Sequence, residues 1–133
     1  MNEDYKVRPI LLYLSLLFGF IGVLVKLLYR PWINNNNIND FGFNGFAPNF
    51  IFTIGICLFV SFFVKKRPIS TMIFSTVGIL LYETEQILTS RTFDYLDVLA
   101  TIIGLVAAIS IYKMINRREK LKTVDAIDGN IAS

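Results

Sequence analysis

The chain has 133 residues, 54% of them hydrophobic, a net charge of +3, one cysteine and no histidine. That is too apolar for a soluble domain of this size. It also excludes a histidine-based triad, an HExxH zinc site, a histidine proton relay and any intramolecular disulfide.

The apolar residues come in blocks rather than alternating, which predicts an all-α, polytopic membrane protein. The first block is Pro9–Leu28, interrupted by Ser15, Gly19, Gly22 and Lys26. Its apolar core is longer than the roughly 7–15 residues of a secretory h-region and no small-x-small cleavage site follows, so it reads as a retained helix. Ser15 and Gly19 form a small-xxx-small pair suited to packing within the monomer or in a dimer. Lys26, near the block's end, is placed to snorkel towards the interface. The segment Pro31–Ala47 carries Asn34 to Asn37 and Asn39, then Phe and Gly. It reads as a loop on the membrane surface or as a lid over the polar patch described below.

Phe46–Val64 is the second block and contains Cys57. Ile69–Leu88 is the third, apolar to Leu81 and acidic beyond it. Val98–Ile115 is the fourth, ending at Asn116-Arg117-Arg118. About 20 apolar residues cross the roughly 30 Å hydrocarbon layer, so each block can span. Residues 1–122 are therefore expected to form one four-span domain, with helices at about 9–28, 46–64, 69–88 and 98–115. Residues 123–133 lack an apolar face and are expected to be a mobile tail.

Basic residues set the orientation. Lys6, Arg8, Lys65, Lys66, Arg67, Lys113, Arg117, Arg118, Lys120 and Lys122 fall on one side of a four-span chain. Only Lys26, Arg30 and Arg91 oppose them. The asymmetry predicts both termini in the cytoplasm and explains the positive net charge. No basic stripe with interleaved aromatics accompanies it, so nucleic acid is not an expected partner.

Two stripes of small and polar residues run down the last two blocks. Thr71, Ser75, Gly78, Tyr82 and Gln86 recur at helical spacing in one, and Asp97, Thr101, Gly104 and Ala108 in the other. Such residues let transmembrane backbones approach closely, and Thr89–Phe93 is short enough to join the two helices as a hairpin. Ser75, Gly78, Gly104 and Ala108 are the expected packing positions. Both stripes end in a charged patch of Glu83, Glu85, Gln86, Arg91, Asp94 and Asp97. Ionisable groups beside hydrocarbon pair with one another and mark functional sites. Thr92 or Asp94 can cap the last helix, and an aspartate in its first turn meets the favourable end of the dipole.

Written out, this segment is Glu83-x-x-Gln86-x4-Arg91-Thr92-Phe93-Asp94-x-x-Asp97, followed by Thr101-x-x-Gly104. It resembles the C-terminal signature of VanZ-like membrane proteins, in which a Glu-x-x-Gln pair leads to an Arg, an Asp, and then an Asn and a Gly on the last helix. The resemblance covers about Ser75 to Ala108, roughly a quarter of the chain. Glu83, Gln86, Arg91, Asp97 and Gly104 stand on the family's positions. Thr101 replaces the usual Asn and Ala108 a second Gly. The Lys and His often seen near the family's second helix are absent, with Pro48-Asn49 in that region. The resemblance implies a bacterial cytoplasmic-membrane protein linked with the cell envelope, in some members with tolerance of glycopeptide antibiotics.

The patch of Glu83, Gln86, Arg91, Asp94, Asp97 and Thr101 admits three readings. It is an ion-pair clasp in an accessory subunit of a larger complex. Or it is a site for a lipid or envelope-precursor head group, with Arg91 on a phosphate and the carboxylates and Gln86 on hydroxyls or amines. Or it is an acid–base pair acting on a lipid-linked substrate. The same oxygens could hold a divalent ion, but no metal motif accompanies them, and no cofactor is expected. Expected partners are membrane lipids, a lipid-linked envelope precursor, and a membrane protein or second copy of the chain.

Overall fold

The computed structural model describes residues 4–64, 66–88 and 95–131, with side chains for all of these except 4–6 and 86–88. They fold into α1 (Asp4–Leu24), α2 (Arg30–Asn35), α3 (Phe43–Phe63), α4 (Pro68–Leu88) and α5 (Tyr95–Ile131), with a π-helical turn, Val25–Tyr29, between α1 and α2. No strand occurs among the described residues.

The first apolar block does not end at Leu28. Through the π turn it continues as one helical stretch, Val7–Asn35. Pro31, at the start of α2, has no N–H to donate back into the helix. The wider turn before it is closed by the Arg30 N–H donating to the Val25 carbonyl, which carries the helix past the proline. Lys26 lies in this turn and is exposed.

Val7–Asn35, Phe43–Phe63 and Tyr95–Ile131 are long and apolar enough to cross a membrane. α4 is not among these three. Ser70, Thr71, Ser75 and Thr76 and the acidic end at Glu83 and Glu85 dilute its apolar run. Leu16, Phe20, Leu27 and Leu28 before α2, Phe74 and Leu81 on α4, and Val106 on α5 are each more than half exposed. A continuous apolar exterior of this kind suits hydrocarbon rather than water.

α3 is the central helix and packs against α1, α4 and α5. Glycines set the closest approaches. A Cβ on Gly55 would lie 3.3 Å from the Gly19 nitrogen and 3.4 Å from the Ser15 carbonyl oxygen, so the Ser15–Gly19 pair is used within the monomer. The buried cluster Val7, Leu11, Ile54, Cys57, Leu58, Met72, Ala108 and Ile115 fills the space around α3.

At Gly104 the small stripe of α5 lies on α3: a Cβ there would stand 2.9 Å from both the Phe50 carbonyl oxygen and the Thr53 Cβ. One packing expectation is corrected. On α4 the buried face is Met72, Thr76 and Glu83. Ser75 is half-buried, and Gly78 is exposed with nothing within 4 Å of where its Cβ would be. The Cys57 Sγ fills the α3–α4 contact, 3.5 Å from the Thr76 hydroxyl.

α5 also outruns its expected end at Ile115 and remains helical to Ile131, through most of the segment expected as a mobile tail. Extending an existing helix carries no new nucleation cost. A 3.0 Å ion pair from Lys122 to Glu119 and a 3.0 Å bond from the Thr123 hydroxyl to the Glu119 carbonyl lie along this extension.

Candidate functional site

Helix directions gather the polar residues at two ends. Gly42, just before α3, lies against Leu96 in the first turn of α5, so α3 and α5 start at the same end. This is the acidic end. Val7 and Arg8 of α1 meet Ser61 and Val64 at the close of α3, and Tyr112 and Asn116 of α5, at the other, basic end.

At the acidic end Glu83 is buried, with 9% of its surface exposed. It is within electrostatic reach of Asp97 across the α4–α5 contact. Asp97 is half-buried in the first turn of α5, where the helix dipole favours a negative charge. Neither carboxylate is without an interaction partner. Thr101 is fully buried one turn further on, and its hydroxyl donates to the Asp97 carbonyl oxygen at 2.9 Å. That bond commits the Thr101 proton to the backbone, leaving its oxygen as an acceptor. Gln86 belongs to α4, but its side chain lies outside the described residues, as do Arg91 and Asp94.

The segment expected as a surface loop over Pro31–Ala47 is mostly helical, with a link at residues 36–42. Asn37, Phe41 and Gly42 take positive φ values of 49°, 55° and 84° in this link. Asp40 organises it. One of its oxygens accepts from the Asn44 N–H at 2.7 Å and the other from the Gly42 N–H at 3.3 Å, which satisfies donors that a helix start leaves open. This is why α3 begins at Phe43 rather than Phe46. The Asn44 amide donates to the Asn34 side-chain oxygen at 2.8 Å, and Tyr29 packs edge-on against Phe43 with ring centroids 6.1 Å apart.

The link approaches the acidic residues directly. A Cβ on Gly42 would lie 3.1 Å from the Leu96 Cδ1, one residue before Asp97. Exposed aromatics accompany this end: Phe41 at 95%, Tyr95 at 71%, and Trp32, Phe43 and Tyr82 each above half. The result is a polar centre with an aromatic rim, as at a membrane–water interface. The Asn44 Oδ1 nearby is a buried acceptor without a hydrogen-bond partner among the described residues. The Asp40 cap is not among the residues expected from the sequence, although Asp40-Phe41-Gly42-Phe43-Asn44 carries the turn and capping chemistry that signals it.

The carboxylates of Glu83 and Asp97 make this end rich in acceptors suited to donors such as hydroxyls and amines. No cluster of three or more His, Cys, Asp or Glu with metal-binding proximity occurs among the described residues. No family model, curated protein or solved structure matches this chain.

Proposed function

We propose that the chain is a non-enzymatic, VanZ-like protein of the bacterial cytoplasmic membrane, with four spans and both termini cytoplasmic. In this reading its outward acidic end takes the polar head group of a lipid or lipid-linked envelope precursor. Glu83 and Asp97 accept hydrogen bonds from hydroxyls or amines, with Gln86, Arg91 and Asp94 as further polar contacts. The observation that carries the reading is the burial of Glu83 within reach of Asp97 at an aromatic-rimmed end of an otherwise apolar bundle. Buried ionisable groups at such a place are costly unless paired or used. The contact of Gly42 with Leu96 supports the link as a cover over that end.

The test is native mass spectrometry of the full chain released from bacterial membranes. The wild type is expected to retain a lipid or lipid-linked sugar that Glu83→Gln and Asp97→Asn each lose, with helical content unchanged by circular dichroism. Equal retention in all three proteins would assign the carboxylates to a clasp and defeat the head-group reading. The envelope role is tested separately, by comparing glycopeptide susceptibility of a host expressing the wild type or the Glu83→Gln chain. No difference from the empty host would sink the link to tolerance.

A further inference from the structure

The basic end holds a second polar feature that the acidic-end reading leaves unused. Between α1, α3 and α5 is a cavity of about 20 Å³ lined by Val7, Arg8, Leu11, Ser61, Val64, Tyr112 and Asn116. That volume admits one water-sized group, so it fits the oxygen tip of a larger ligand rather than a whole molecule. The lining is more polar than the apolar surfaces around it. Ser61 is buried, and its hydroxyl donates to the Cys57 carbonyl oxygen at 2.8 Å. The donors left to face a ligand are the Arg8 guanidinium, the Tyr112 phenol and the Asn116 amide.

Arg8 is held over the Phe62 ring, 6.0 Å from its centroid, which steadies the guanidinium plane. It belongs to no ion pair among the described residues, where Glu119 is matched by Lys122. Other cations surround the site in sequence: Lys66 and Arg67 after α3, and Lys113, Arg117 and Arg118 along α5. Asp125 and Asp128 come more than two turns beyond Asn116. The site therefore lies in a positive field at the margin of the apolar stretch, the kind of place that attracts anionic lipid head groups.

We infer that this pocket binds the phosphate of an anionic phospholipid, with Arg8 pairing with the phosphate oxygens and Tyr112 and Asn116 donating to the oxygen that enters the cavity. The acyl chains then run along the exposed apolar flanks of α1 and α3. A guanidinium grips a phosphate through two parallel N–H bonds, which an ammonium cannot do. The site is at the opposite end from Glu83 and Asp97, so its failure and that of the head-group reading are separate results.

The experiment titrates the full, detergent-purified chain with phosphatidylglycerol, phosphatidylcholine or inorganic phosphate and follows the thermal unfolding midpoint. Phosphatidylglycerol should raise the midpoint, while phosphatidylcholine and inorganic phosphate at equal concentration should not. Arg8→Gln should weaken the phosphatidylglycerol effect about tenfold or more, as expected for losing a charge-assisted hydrogen bond. Arg8→Lys should recover only part of it. Tyr112→Phe keeps the ring and removes only the donor, so it tests the pocket without disturbing the packing, and should also weaken binding. Lys120→Gln, outside the pocket, should leave it unchanged. Equal responses to the two lipids would overturn the proposal. So would a loss at Lys120→Gln matching that at Arg8→Gln, which would indicate a diffuse basic collar. An equal response to inorganic phosphate would assign the site to the free ion instead of a lipid.

Discussion

Gly104 and Thr53 make the closest approach of any glycine among the described residues: a Cβ placed on Gly104 would fall 2.9 Å from the Thr53 Cβ and equally close to the Phe50 carbonyl oxygen. Backbone and a β-branched side chain meet it, and neither can swing away. Gly104→Ala should therefore cost about 1–3 kcal/mol through overpacking. Gly78→Ala meets open space and should be neutral or stabilising by up to about 1 kcal/mol through helix propensity. Unfolding midpoints of the two variants in the same detergent separate these outcomes. Similar behaviour would contradict the assignment of the α5 stripe to α3.

The proposed membrane orientation predicts that cysteines at Asn36 and Lys66 label from opposite faces with an impermeant thiol reagent. The background is Cys57→Ser, chosen because Cys57 is buried near the Thr76 hydroxyl, where a serine can donate in its place. Labelling of both sites from outside intact cells would refute the four-span arrangement.

Asp40 holds the start of α3 through the Asn44 and Gly42 N–H groups. Asp40→Ala should destabilise the chain by about 1 kcal/mol, the usual cost of losing a helix cap, while Asp40→Asn keeps an acceptor oxygen and should cost less. Limited proteolysis at residues 36–42 gives an independent reading, with faster cleavage expected in Asp40→Ala only.

Truncation after Lys122 removes a stretch whose Leu121-side neighbours Val124, Ile127 and Ile131 are all more than half exposed. The unfolding free energy should move by no more than about 0.5 kcal/mol, as for surface changes away from packed features. Far-ultraviolet circular dichroism should still register the loss of helix. A large destabilisation would show that these residues pack against something in the working protein.

The elements were legible in the sequence because runs of apolar residues this long have few structural alternatives. Their contacts were less so. In water a helix announces its buried face by being apolar there, but lipid is as apolar as leucine. Exposed Phe74 and buried Met72 on α4 therefore look alike in sequence, and the small residues Ser75 and Gly78 point to a different face from the buried one of Met72, Thr76 and Glu83. Small residues on α5 indicated a close approach but not to which neighbour. At the acidic end, the proximity of Glu83 and Asp97 was readable from the short link between their helices. The Asp40 cap was obscured by the asparagines around it, whose composition suggests a loop while the aspartate starts a helix.

α5 has 37 residues and rises about 55 Å, far more than the roughly 30 Å of hydrocarbon. Mechanically it is a cantilever: Leu96, Gly104, Ala108 and Ile115 hold it against the bundle, and the stretch from Ile115 to Ile131 overhangs by about 24 Å. A bend of about ten degrees at Ile115 would carry Ile131 through about 4 Å, a swing that a distance probe near the C-terminus can read while the acidic end stays in place.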